Sequence, residues 1–225
     1  MEKKILKIIS TITTKKLNNI MLKSKSKMIK PISLPEYRGD RVYMHEFNME
    51  NPTLPTGYER WESVVKEIVA CSPKKTGKAY LTIDEKIVGK GQSHRRGGPH
   101  TDGNYLFGWG GGGSGGGGSG WLTGEDGRFL PRQQHEEQYC SEKGGMLIVS
   151  SYEACKGWNG NYEGQPNQGG DCSHLDLSKM ENFKLESNTL YWGNSTFIHE
   201  SLPLEEDVKR QLVRITLPAD AEDLV

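Results

Sequence analysis

No stretch of the 225-residue chain approaches the roughly 18 to 20 consecutive apolar residues that a membrane-spanning helix requires, so no such helix is expected. Cysteine is scarce. Cys71, Cys140, Cys155 and Cys172 show no CxxC spacing and are too few for a disulfide scaffold, which points to a cytoplasmic or other reducing compartment. Arginine is missing from residues 1–30, although nine lysines lie there. Presequences that address an organelle are usually Arg-rich, so targeting by this segment is disfavoured and it reads as a basic, disordered leader ahead of a domain over 31–225. A start at Met21 or Met28 would make it an upstream extension.

Net charge is also lacking. Twenty-nine Lys and Arg balance 29 Asp and Glu, which leaves no bulk basicity for broad nucleic-acid binding. The balance is a sum of unlike parts: residues 1–30 carry nine Lys and one acid, or +8, and the other 195 residues carry 20 basic and 28 acidic side chains, or −8.

Glycine is the one residue in excess, and ten of the 28 fall in an insertion over 108–120. Nine Gly and two Ser between Trp109 and Trp121 offer almost nothing to bury, so this tract reads as a flexible coil. Its GGGGS repeat resembles a linker. It contains GxGxxG by composition, but no Lys-Ser/Thr pair and no clear strand–turn–helix context follow, which argues against a phosphate loop.

Thr56-Gly57-Tyr58-Glu59 fits a capping box, and Trp61, Val64, Val65, Ile68 and Val69 follow at helical spacing, so residues 57–71 read as one amphipathic helix. Beyond Pro73 the chain reads as short strands and turns, with strands expected over 79–83, 104–107, 146–151, 189–192, 196–199 and 209–217. Many strands and one helix predict a mainly β fold, a sandwich or barrel braced by that helix. The Gly- and Asn-rich stretch 152–174 reads as a loop long enough to be a lid.

The sharpest chemical signal is Gly98-Pro99-His100-Thr101-Asp102-Gly103. In an extended segment His100 and Asp102 point to one face, because side chains alternate with period two. His199 supplies a second imidazole. Two histidines and a carboxylate on one side of a metal leave the other side open, the facial arrangement of non-haem Fe(II) oxygenases. Fifteen residues beyond His199 stands Arg214, on a strand where Arg210, Leu212, Arg214 and Thr216 share a face. A guanidinium beside a hydroxyl suits the far end of a dicarboxylate. Arg95 and Arg96 read as a solvated pair, with a substrate phosphate or carboxylate as the other reading. Tyr105, Phe107 and Trp109 read as core, with a pocket floor as the alternative. His94, His135 and His174 read as surface or loop residues, and the Asn194-Ser195-Thr196 sequon as an unused one.

The order His100-x-Asp102, His199, Arg214-x-Thr216 resembles the Fe(II)- and 2-oxoglutarate-dependent dioxygenases, with the two arginines placed as in the taurine dioxygenase branch. The resemblance covers about residues 75–218 and rests on five or six positions. It implies a double-stranded β-helix, or jelly roll. It implies Fe(II) held by His100, Asp102 and His199. It further implies 2-oxoglutarate anchored by Arg214 and Thr216, with Arg210 as the alternative anchor or a contact for an anionic substrate. The implied reaction consumes O2, converts 2-oxoglutarate to succinate and CO2, and hydroxylates a small molecule or side chain, anionic or aromatic. The other readings are a catalytically silent jelly-roll or cupin-like binding protein, and a metal-dependent cupin enzyme without co-substrate.

Overall fold

The computed structural model describes residues 21–102, 142–167, 170–218 and 220–224. The expected strand over 104–107, the glycine insertion 108–120, Tyr105, Phe107, Trp109, His135 and Cys140 lie outside these residues. Within them the protein is mainly β, built of two antiparallel sheets and one short α-helix.

The larger sheet has six strands: β2 (Ser26–Pro31), β8 (Thr189–Gly193), β5 (Met146–Ser150), β10 (Val208–Thr216), β4 (Lys78–Val88) and β3 (Arg41–Asn48), in that order across the sheet. The smaller sheet centres on β6 (Cys155–Glu163), which pairs with β1 (Met21–Ser24), β7 (Glu181–Lys184) and β9 (Ile198–Ser201). Alternation along each strand sorts its side chains between two faces. Leu81, Ile83, Leu147, Val149, Val213 and Ile215 form one buried layer with Val64, Val65, Ile68 and Val69 of helix α1 (Glu62–Ala70). The helix therefore braces the outer face of the larger sheet, as its apolar spacing predicts. Met146, Ile148, Tyr191 and Leu212 face the other way and meet Cys155 and Phe197 of the smaller sheet. Trp158, Tyr162 and Ile198 pack on the outside of that sheet under Cys172 and Met180.

The capping box does not form. Glu59 Oε1 accepts from the Gly57 amide at 2.8 Å, a 3₁₀ turn occupies Glu59–Trp61, and the α-helix starts only at Glu62.

The leader also ends earlier than its composition suggests. Residues 1–20 lie outside the described part, but residues 21–31 form β1 and β2, each paired into a sheet. In β1, Leu22 and Ser24 are buried while Met21 and Lys23 are exposed. Three of the nine lysines (23, 27 and 30) are thus strand positions, and Lys25 joins the two strands. Lysine alternating with apolar and small residues is strand periodicity, and it reads as low complexity only when charge is counted without position.

The proposed lid over 152–174 is likewise overturned in its first half. Cys155–Glu163 is β6, the middle of the smaller sheet, with Trp158 and Tyr162 buried. Its glycines conceal it: a Cβ on Gly157 would stand 2.6 Å from the Phe197 ring and 2.9 Å from the Phe183 ring, so the strand needs a bare backbone there. No helix among the described residues is long and apolar enough to cross a membrane.

Candidate metal centre

His100 sits in a short extended segment that adds to the smaller sheet beside β9. It exchanges both backbone hydrogen bonds with His199, N to O at 2.9 Å and 2.8 Å, so the two are a directly opposed antiparallel pair whose side chains share a face. Their ring centroids are 4.5 Å apart. Asp102, two residues on, returns to the same side: Oδ1 lies 3.9 Å from His100 Nε2, and Oδ2 lies 3.5 Å from His199 Nε2. One ligand atom from each of the three falls within 4.8 Å of the others. The structure thus brings together the three ligands expected from the sequence.

The imidazoles are oriented for this task. His100 Nδ1 donates to the Gly98 carbonyl at 2.7 Å, and His199 Nδ1 faces the Phe197 carbonyl at 3.2 Å. A carbonyl only accepts, so each Nδ1 carries a proton and Nε2 is the nitrogen turned toward the other two groups. Gly98, at φ 76°, turns the chain so that its carbonyl lies under the ring. Burial, and then the neighbouring His199, push the His100 pKa down to about 3, so the ring stays neutral at physiological pH. Burial alone would raise Asp102. Arg214 and the histidines outweigh it and hold the carboxylate ionised. Two imidazoles and one carboxylate make a donor set for a divalent transition metal.

Phe197 supports His199 from behind, its ring 5.4 Å away and nearly parallel at 15°. Since Gly157 opposes His199 across β6 and β9 and leaves room for Phe197, Gly157→Ala should displace that ring and with it His199. The expected outcome is a folded protein whose affinity for Co(II) or Fe(II) is lower by about 10–100-fold, as for other losses of support around a metal ligand, read by metal titration.

The arginines part company. Arg214 Nη1 bonds to Asp102 Oδ2, and its Nη2 lies 4.0 Å from Met44 Sδ. The sequence assigned Arg214 to a dicarboxylate, yet here it holds the proposed metal ligand. Arg210 is completely buried and has no carboxylate within 4 Å among the described residues. Its guanidinium donates instead to Ser150 Oγ at 3.0 Å, Ser201 Oγ at 3.3 Å and Cys155 Sγ at 3.1 Å. Ser201 lies two residues beyond His199 on β9, a step of about 6.6 Å at 3.3 Å per residue. Thr216 is six residues from Arg210 along β10, roughly 20 Å, so one small ligand cannot use both.

Sequence reasoning missed His94 and Asp84. His94 is 2% exposed rather than a surface residue. Its Nε2 lies 3.4 Å from Asp84 Oδ2, yet neither ring nitrogen is aligned for a hydrogen bond. Asp84 Oδ1 and Arg214 Nε are also buried without a hydrogen-bond partner, so four orphaned polar atoms gather on the face that carries Arg210 and Arg214. Such groups ordinarily meet a ligand or water. No spacing rule marks Asp84, since it sits in a strand whose alternation alone shows that it faces Leu212 rather than the helix. His174 is exposed, as expected. Asn194 is buried and donates to the Lys23 carbonyl at 2.8 Å, which keeps the sequon from use. Arg95 bonds Asp84 at 3.1 Å, and Arg96 lies 3.8 Å from Asp171. Comparison of the chain with family models, with curated proteins and with solved structures gives no match.

Proposed function

We propose that the protein is an Fe(II)- and 2-oxoglutarate-dependent dioxygenase, a hydroxylase built on a double-stranded β-helix. The observation that carries this reading is the His100, Asp102 and His199 set lying one strand step from Ser201, whose hydroxyl meets Arg210, a buried cation that no carboxylate among the described residues neutralises. Burying a charge without a counter-charge is costly, and a ligand carboxylate would relieve that cost. A silent binding module has no use for it.

In this reading His100 and His199 offer Nε2, and Asp102 offers a carboxylate oxygen that Arg214 keeps ionised and oriented. Bound here with 2-oxoglutarate and O2, Fe(II) supplies the oxidising chemistry that hydroxylates a substrate carbon and yields succinate and CO2. Arg210, with Ser150 and Ser201, binds the distal carboxylate. The single strand step from His199 to Ser201 suits a five-carbon diacid held at both ends. This order places Arg210 ahead of Arg214 and Thr216. What supports it is that Arg214 already has an anionic partner and Arg210 has none.

Anaerobic addition of Fe(II) and then 2-oxoglutarate should produce the visible metal-to-ligand charge-transfer band of the chelate. Absence of the band in folded wild type would sink the reading and leave a silent module or a cupin without co-substrate. A band that survives Asp102→Ala and His199→Ala together would refute the ligand assignment.

A further inference from the structure

β4 carries Asp84 on the face that it shares with Arg210, Leu212 and Arg214, and cations crowd this carboxylate. Arg95 Nη1 lies 3.1 Å from Oδ2, and Arg41 Nε lies 3.3 Å from Oδ1. Lys86, two residues along β4, is pushed below its ordinary range first by burial and then by Arg41, Arg95 and Arg210. Burial likewise lowers His94, which adds no counter-charge of its own. Among the described residues Arg41, Arg95 and Lys86 therefore share this carboxylate, and both arginines are reachable from outside: the Arg41 side chain is 70% exposed and that of Arg95 19%.

The neighbouring edge strand is deformed at this spot. Val42 pairs with Ile83 and His45 with Leu81, so Tyr43 and Met44 together oppose Thr82 alone. Met44 takes a left-handed conformation, φ 49°, and its sulfur reaches Arg214 and Thr82. Non-glycine residues adopt that conformation rarely, and bulges beside active sites re-aim side chains. The residue re-aimed here is Tyr43. Its ring is 48% exposed, it is hydrogen-bonded with Arg95, and it lies within the fields of Arg214 and Asp102. An exposed aromatic thus stands beside Arg95, within the field of the Asp102–Arg214 pair.

We infer that the Tyr43–Met44 bulge with Arg41 and Arg95 recognises an anionic prime substrate, a small molecule bearing a carboxylate or phosphate beside a flat apolar group. The anion sits between the two arginines, and Tyr43 holds the flat part toward the metal ligands. This substrate class rests on the oxygenase reading, but the anion site itself is testable without metal.

Calorimetric titration of the metal-free protein with phenyl phosphate, benzoate and the neutral benzamide reads the site directly. Phenyl phosphate and benzoate should bind and benzamide should not. Arg95→Gln and Arg41→Gln should each weaken phenyl phosphate at least tenfold, Tyr43→Leu should weaken it more than inorganic phosphate, and Arg96→Gln should leave all affinities unchanged. Arg41 is largely exposed, so its variant keeps the test sound if Arg95→Gln fails to fold. Equal binding of benzamide and benzoate, no binding of either anion, or an Arg96→Gln loss equal to that of Arg41→Gln would overturn the proposal. A charge-transfer band without anion binding refutes the substrate class alone, whereas anion binding without a band refutes the oxygenase reading and leaves the anion site standing.

Discussion

Arg210→Met is expected to weaken 2-oxoglutarate by at least about thirtyfold while leaving the metal-free protein as stable as wild type, or more so. Both halves follow from the same geometry. Arg210 is wholly buried against two hydroxyls and a thiol, with no carboxylate among the described residues to offset its desolvation. Replacing a buried charge with an apolar side chain of similar volume is often neutral or stabilising, so the empty protein loses little. The complex loses much more. Truncating one member of a buried, hydrogen-bonded charge pair costs about 2–5 kcal/mol, roughly thirtyfold to several thousandfold at about 1.4 kcal/mol per factor of ten. Titrating 2-oxoglutarate against the charge-transfer band of the Fe(II) protein gives the affinity, and thermal denaturation gives the stability. Arg214→Met should behave in the opposite sense, with 2-oxoglutarate affinity within a few-fold of wild type and a weakened metal site, because its guanidinium holds Asp102. A larger 2-oxoglutarate loss for Arg214→Met would return the anchor to Arg214 and Thr216.

The proposed metal ligands were legible in the sequence because each depends on local regularity. His-x-Asp needs only an extended chain to put both groups on one side, and His199 lies beside an apolar stretch that reads as a strand. The roles of the arginines were not legible. Arg210 and Arg214 share a face and differ by two strand steps, and what separates them is their partners: Asp102 for one, Ser201 and Cys155 for the other. Spacing along β10 carries no record of those partners. The helix was legible from its apolar stripe, but its start was not, since Glu59 found the nearer Gly57 amide. β1, β2 and β6 were hidden by composition. Lysine on the solvent side and glycine under Phe197 are both strand-compatible, yet each resembles unstructured sequence when residues are counted rather than placed.

The adjacent carboxylates Asp84 and Glu85 point to opposite faces of β4, and that difference sets the largest expected change in stability. Glu85 Oε2 accepts from the Arg38 amide at 2.9 Å, the Asp40 amide at 2.6 Å and Arg60 Nη2 at 3.0 Å, while Oε1 accepts from Gln211 at 2.6 Å. Arg60 continues to Asp40, which also accepts from the Trp61 indole at 2.7 Å. The network ties the segment before β3 and the 3₁₀ turn before α1 to the centre of the sheet. Glu85→Gln keeps the volume but turns an acceptor into a donor facing other donors, so a buried charged network loses its centre. Breaking a buried pair costs about 3–5 kcal/mol. At about 2–4 °C per kcal/mol for a protein of this size, the melting temperature should fall by roughly 6–20 °C. Asp84→Asn should cost less, because Asp84 Oδ1 has no hydrogen bond to lose and its partner Arg41, largely exposed, can return to solvent. Its effect should fall instead on binding of anions near Arg95. Paired thermal and urea denaturation of the two variants checks the contrast. Equal losses would mean that the cation cluster about Asp84 is a structural network like that of Glu85, and not a surface held in reserve for a ligand.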